Sequence, residues 1–316
     1  MTAVSESTDT RPGWGGVPFV VQIVLEQRLG TQVANSTSQP GGYTATLASR
    51  LELTDGGRVF VKGIPVGHPL ERSYAAEAHA AAALPEDAPV PLLLGTVEDE
   101  WLLLVFEDVE GREPDLQPGS DELPALLDSV AELHRVLRPS PLADLPPARH
   151  AYGQLLTGWS KLATHPPHDL DPWAWHNLDK LIAMESAWLP WSDGDTMLHT
   201  DLRPDNLIYR PVDGKVLVVD WAQAAQGAAW LDLAGLVPHL VRAGHSPREA
   251  EQLVLSGSVM DGVPAWAVTG LAVALAGFWS AASRQLEPPG ASGLREFQAE
   301  AAAAALTWVA HRTRWN

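Results

Sequence analysis

The sequence predicts an α+β chain in two lobes, a small antiparallel sheet toward the amino terminus and a mainly helical remainder. Three observations lead there. Tyr43, Ala45, Leu47, Leu51 and Leu53 follow a period-2 pattern, and residues 58–64 form a second apolar run after the turn Asp55-Gly56-Gly57. Leu123, Leu126, Leu127, Val130, Leu133 and Leu137 share one helical stripe. Residues 262–283 carry no charged side chain and residues 294–309 are Ala-rich, which fits two long helices packed together.

Along the chain, residues 1–12 are polar and lack the basic-then-apolar order of a secretory leader, so the cytoplasm is the expected location. Asn35-Ser36-Thr37 fits a glycosylation sequon, which has no meaning without secretion. Residues 17–29 read as a short helix and 70–84 as another. Pro89-Val90-Pro91 leads into the apolar run 92–94, and 101–106 is a further apolar strand. Residues 111–119, rich in Pro and Gly, form a loop before the striped helix, and 138–149 is a Pro-rich loop after it. Trp159, Trp173, Trp175, Trp188 and Trp191 then crowd one region, where large aromatics fill cores more often than they wall a ligand pocket. His165, His168 and His176 lack the spacing of a helical zinc site and are expected in exposed loops.

The densest chemistry lies in His199-Thr200-Asp201-Leu202-Arg203-Pro204-Asp205-Asn206, followed by Val218-Val219-Asp220. This is the pattern H-x-D-x-x-x-x-N with a second Asp beyond it, the spacing used in phosphoryl transfer. Asp201 can accept the proton of an attacking hydroxyl. Residues 207–209 and 216–219 read as two short strands around the turn Pro211-Val212-Asp213-Gly214, a hairpin that returns Asp220 beside Asn206. One carboxylate and one amide oxygen, completed by phosphates and water, suit Mg2+. His199 is expected to brace the loop by hydrogen bonding, because Asp201 already fills the role of base.

In the first lobe, Lys62 stands in the apolar strand Val59-Phe60-Val61-Lys62 and is the candidate phosphate-binding lysine. A charge in such a strand needs a partner or must snorkel from an edge. Glu77 and Glu71 on the next helix compete for it, and Glu77 is preferred because the helix reaches deepest near its middle. Gln39-Pro40-Gly41-Gly42 lies one hairpin earlier, and Gly41 and Gly42 would let backbone approach nucleotide phosphates.

Together these residues resemble the aminoglycoside phosphotransferase-like (choline kinase-type) family of small-molecule kinases. The resemblance runs over residues 17–314. It includes His199-Thr200-Asp201 with Asn206, Val219-Asp220, Gly227, Trp230-Leu231-Asp232-Leu233-Ala234 and the Leu133-His134 pair. Arg203 departs from it, since many relatives carry His there. The resemblance implies a bilobal protein-kinase-like fold, with ATP (or GTP) and Mg2+ as cofactors. It also implies a Glu at position 77 and a linker, Glu107-Asp108-Val109, whose Glu107 and Val109 backbone meets adenine. The expected division is a disordered tail over 1–16, a nucleotide-binding lobe over 17–109 and a helical lobe over 110–316 with the catalytic loop and substrate site. Asp232 is expected to hydrogen-bond the catalytic-loop backbone rather than touch substrate.

Composition narrows the function classes. The chain has 316 residues, no Cys, a formal charge of −18 and a pI near 4.9. Disulfides and thiolate metal sites are excluded. No basic stripe is present for nucleic acid. A negative field can steer a cationic substrate, although acidity also simply confers solubility. Residues 262–283 invite a membrane reading, but their Ala, Gly and Pro264 with no basic flank fit a buried helix better. Arg far exceeds Lys and Ala is abundant, as in a GC-rich bacterial source. No Gly-x-Gly-x-x-Gly precedes Lys62 and no Ala-Pro-Glu follows Asp220, which argues against an ordinary protein kinase. The expectation is an ATP-dependent phosphotransferase acting on a hydroxyl of a small molecule, an antibiotic or another bacterial natural product. The alternatives are a kinase of peptide Ser/Thr in natural-product maturation and a nucleotide-binding pseudokinase that serves as an interaction module.

Overall fold

A computed structural model describes residues 11–39, 45–288 and 291–316. The chain divides into two compact units. The first comprises residues 1–82, 91–110 and 287–293, and the second residues 83–90, 111–286 and 294–316. The division therefore exchanges two short segments across the expected boundary at 109/110.

The first unit holds helix α1 (Phe19–Leu29), strands β1 (Val33–Ser38), β2 (Leu47–Leu53) and β3 (Arg58–Pro65), helix α2 (Glu71–Ala83), and strands β4 (Leu93–Glu98) and β5 (Trp101–Glu107). The five strands pair antiparallel throughout in the order β1-β2-β3-β5-β4. Asp55 makes the β2–β3 turn, its Oδ1 accepting the Gly57 N–H at 2.9 Å while Gly56 takes φ 88°. Strand β5 is apolar at nearly every position because both of its faces are covered. Leu103 and Val105 join Leu47, Leu51, Val59 and Val61 in a core with Val21 and Leu25 of α1. Leu102 and Leu104 face the other way and pack with Ile64 and with Tyr74 of α2. Lys62 pairs with Leu104 and so shares the α2 side.

Two departures from the sequence reading lie here. Trp14–Gly16, expected within the tail, forms a 3-10 turn, and Trp14 is buried in the α1 core. Strand β1 was not expected, because Val33-Ala34-Asn35-Ser36-Thr37-Ser38 is polar, and it is an almost wholly exposed edge. Residues 1–10, Gly41, Gly42, Tyr43 and Thr44 lie outside the described residues.

The second unit opens with α3 (Glu122–Val136), whose Leu123, Leu126, Val130 and Leu133 are buried as the stripe predicts. Four short helices follow: α4 (Ala148–Leu155), α5 (Gly158–Thr164), α6 (Pro172–His176) and α7 (Leu178–Met184). Strand β6 (Thr196–Leu198) leads into the catalytic loop. β7 (Leu207–Arg210) and β8 (Lys215–Val218) form its hairpin, and β9 (Ala225–Gly227) pairs back onto β6. Helices α8 (Trp230–Arg242), α9 (Pro247–Val254), α10 (Ala265–Ala282) and α11 (Leu294–Thr313) complete the unit. Ser246 and Glu249 start α9 with a reciprocal capping box.

Helix α10 is the charge-free stretch. By length and composition it could cross a membrane, but 78% of it is buried inside the chain, against α5, α7, α8 and α11. Its glycines permit that packing. A Cβ at Gly277 would stand 2.6 Å from Cδ1 of the fully buried Trp159, and one at Gly270 would stand 2.9 Å from the Trp188 backbone N.

Candidate active site

Asp201 sits in a loop whose backbone is tied at His199, Thr200 and Asp201 in succession. Thr200 holds φ 66°, a left-handed conformation costly for a β-branched side chain. Its N–H donates to Asp232 Oδ1 at 2.8 Å, its hydroxyl donates to Gln223 O at 2.6 Å, and its carbonyl accepts from the Tyr152 hydroxyl. The preceding His199 N–H donates to the other oxygen of Asp232 at 2.9 Å. Asp232 projects from the first turn of α8, is 2% exposed, and also meets His134 Nε2 at 3.3 Å. One buried carboxylate thus fixes two successive loop amides, the structural role expected of it. Burial alone would raise its pKa. The His134 hydrogen bond, the His134 ring and the His199 N–H outweigh burial and hold it below the usual carboxylate value.

His199 braces the loop from inside. Its Nδ1 accepts the Asp201 N–H at 3.2 Å and its Nε2 lies 2.8 Å from Val219 O. A carbonyl can only accept, so Nε2 carries the proton and the ring is the neutral Nε2–H tautomer. The ring therefore ties the loop to the end of the β7–β8 hairpin.

The hairpin brings the remaining groups together. Val219 N–H donates to Asn206 O at 3.0 Å, and Asp220 follows with φ 69°. Asn206 Nδ2 donates to Asp201 O at 2.9 Å and to Asp201 Oδ2 at 3.2 Å. Those two acceptors fix the amide's orientation, so Asn206 Oδ1 faces away from them. Among the described residues no donor reaches that oxygen. Asn206 Oδ1 and the Asp220 carboxylate are hard oxygens of the kind that suit Mg2+, with phosphates and water completing the shell. Among the described residues no cluster of three or more His, Asp or Glu could hold a metal alone.

Asp201 keeps 38% of its side chain exposed, enough to meet a ligand. Its pKa is raised, first by burial of the inner part of the carboxylate and then by Asp220 and Asp205, while Arg203 pulls the other way. The open face limits the burial effect, and a carboxylate whose pKa is raised takes up a proton more readily than an unshifted one.

In the first unit, Lys62 Nζ lies 2.6 Å from Glu77 Oε2, with both side chains largely buried. Glu71 accepts the Gly67 N–H instead. Gly63, next to Lys62, must be glycine, because a Cβ would stand 2.4 Å from Leu103 Cδ2 and 2.8 Å from Leu102 O. The linker after β5 is held by two guanidinium groups. Arg50 Nε meets Asp108 Oδ1 at 3.0 Å, Arg58 Nε meets Asp108 Oδ2 at 3.4 Å, and Arg50 Nη2 donates to Val109 O at 2.5 Å. Glu107 N–H is taken by Leu92 O at 2.9 Å. The Val109 N–H donates to no atom among the described residues.

The structure thus brings Asp201, Asn206 and Asp220 to one place and joins Lys62 to Glu77. Gly41 and Gly42 lie outside the described residues. The Trp cluster splits: Trp159 and Trp188 are core, whereas Trp175 and Trp191 are exposed. His165, His168 and His176 are exposed, the last on α6. Sequence reasoning missed Tyr152, Arg50 and Arg58, whose partners are many residues away and leave no local signal.

No curated protein sequence matches the chain. Solved structures do, by fold. Choline kinase LicA from Streptococcus pneumoniae superposes with a TM-score of 0.62 at 14% identity, over 92% of this chain and 98% of that one. The aminoglycoside phosphotransferase APH(4)-Ia, crystallised with AMP-PNP and hygromycin B, gives 0.58 at 14% identity over 94% and 98%. A putative fructosamine-3-kinase from Thermobifida fusca gives 0.55 at 22% identity over 90% and 98%. The profile described as "Phosphotransferase enzyme family" matches residues 39–270, from the end of β1 through the Lys62–Glu77 pair and the catalytic loop into α10. On that match the chain belongs to the phosphotransferase enzyme family, as an enzyme of the kinase-like fold.

Proposed function

We propose that the protein transfers the γ-phosphoryl group of ATP to a hydroxyl of a small molecule, an antibiotic or another bacterial natural product. The observation that carries this is the tethered Asp201 carboxylate, 38% exposed and bonded through Asn206 to the loop that ends in Asp220. Asp201 orients the acceptor hydroxyl and takes its proton as the new O–P bond forms and the bond to the ADP oxygen breaks. Asn206 and Asp220 would hold Mg2+, which supplies charge neutralisation at the phosphates. Lys62, held by Glu77, supplies a cation for the phosphates. The Val109 N–H, which donates to no atom among the described residues, suits an acceptor on the purine edge, since Arg50 already occupies the Val109 carbonyl. A formal charge of −18 is compatible with a cationic acceptor.

The test is a screen of purified protein with ATP and Mg2+ against hydroxylated antibiotics, amino alcohols and Ser/Thr peptides, reading products by mass. A phosphate mass on a small molecule supports the proposal. Phosphate gained only by a peptide replaces it with the maturation-kinase reading. ATP binding without transfer to any acceptor replaces it with the pseudokinase reading.

A further inference from the structure

Phe297, on α11, lies at the meeting point of three side chains from elsewhere in the second unit. The Arg242 Cζ is 5.0 Å from its ring centroid and the Arg203 Cζ is 5.6 Å away. The His239 ring stacks on it with centroids 6.0 Å apart at 17°. Trp279 backs His239 edge-on at 5.6 Å. Two guanidinium groups can share one aromatic ring here because the third neighbour is uncharged. Burial, then Arg203 and Arg242, lower the His239 pKa to about 3.

Arg203 reaches from this seat into the catalytic loop. Its Nε is 3.5 Å from Asp201 Oδ2, and its Nη2 is 3.1 Å from Asp205 Oδ2. Asn206 Nδ2 also meets Asp201 at Oδ2. The Arg203 ion pair and the Asn206 hydrogen bond therefore meet at the same oxygen, and among the described residues no donor reaches Oδ1. Attraction to one oxygen from two directions favours one rotation of the carboxylate over the others. Phe297 and His239 reach Asp201 through Arg203.

We propose that Phe297 and His239 form a seat that positions Arg203, and that Arg203 fixes the Asp201 carboxylate with Oδ1 turned toward the acceptor hydroxyl. The inference rests on Asp201 being the group that orients the acceptor. It makes α11 part of the catalytic apparatus through a positioning residue rather than through substrate contact.

The test uses Arg203→Lys, Phe297→Leu, Phe297→Tyr, the Arg203→Lys/Phe297→Leu double variant and Asp201→Asn in the full chain. Two readouts are taken: turnover of ATP with Mg2+, with water as the acceptor hydroxyl, and the Arg203 Nε–H signal in a 15N-resolved NMR spectrum. Lysine keeps the charge but loses the planar fork, so Arg203→Lys should lower kcat about tenfold with the KM for ATP within about twofold. Phe297→Leu should lower kcat about fivefold and broaden the Arg203 signal, while Phe297→Tyr, which keeps the ring face, should restore both to within about twofold of the parent. The double variant should fall no more than about twofold below Arg203→Lys, because Phe297 acts through Arg203. An unchanged Arg203 signal in Phe297→Leu overturns the proposal, as does a double variant whose losses multiply. If Asp201→Asn loses turnover while the Phe297 variants behave as the parent, only the positioning claim fails. If Asp201→Asn turns over ATP like the parent, the reading of Asp201 fails and the positioning claim falls with it.

Discussion

Replacing Asp232 with Asn preserves the side chain's shape and removes its charge. In the native loop Oδ1 accepts from Thr200 N–H at 2.8 Å, and Oδ2 accepts from His199 N–H at 2.9 Å and faces His134. Asn has one acceptor atom for these two amides, so an NH2 group must face one backbone N–H. The loss is one hydrogen bond to a charged acceptor, about 1.5–3 kcal/mol, together with a buried donor left unsatisfied, about 1–3 kcal/mol. A destabilisation of about 3–5 kcal/mol is a large share of the roughly 5–15 kcal/mol that holds a native domain together. These bonds also hold Thr200 at φ 66°, a conformation that costs about 1–3 kcal/mol by itself. Once released, the loop relaxes and carries Asp201 with it, and a shift of about 1 Å is enough to cost roughly a hundredfold in turnover. Urea unfolding gives the stability and steady-state assay gives kcat. The pH dependence has a definite sign. Asp232 has a lowered folded-state pKa, so its contribution is complete above the unfolded value, near pH 4, and is lost as pH falls through the folded value. The gap between parent and variant should therefore be widest above about pH 4 and close in acid. A variant within about 1 kcal/mol of the parent at pH 7, with kcat within about threefold, would refute the reasoning.

Glu77→Gln leaves the buried Lys62 without its charged partner, and the expected cost is about 3 kcal/mol with a weaker affinity for ATP, measured by denaturation and calorimetric titration. Gly277→Ala forces a Cβ to within 2.6 Å of Trp159, whose indole N–H donates to Val273 O at 2.7 Å. It should cost about 1–3 kcal/mol and lower the melting temperature while leaving the KM for ATP unchanged. Asp220→Asn should raise the Mg2+ concentration needed for half-maximal turnover by at least about tenfold, read from a metal titration with the fold checked by circular dichroism.

Much of the second unit's site was legible because its chemistry is local. Asp201, Asn206 and Asp220 sit within one loop and one hairpin, and the apolar runs around Pro211-Val212-Asp213-Gly214 gave the hairpin away. Lys62 was legible because a lysine in an apolar strand asks for a partner. The order of the sheet, the β1 edge and the short helices were not. β1 pairs through its backbone and exposes its polar side chains, so it carries no hydrophobic period. Helices α4–α7 are too short to show one. The Arg50 and Arg58 grip on Asp108 joins residues that only the fold brings together, and so does the Phe297 seat under Arg203. Arg203 stood out only as a departure from the resembling family, and its proposed role rests on its neighbours on α8 and α11.

The most direct measurement of the central claim compares the parent with Asp201→Asn, using ATP, Mg2+ and the acceptor identified by mass, with nucleotide affinity measured in parallel. The account predicts a fall in kcat of about a hundredfold or more with the dissociation constant for ATP within about twofold, because Asp201 serves the acceptor and not the nucleotide. Phosphate transfer at the parental rate by Asp201→Asn would contradict it.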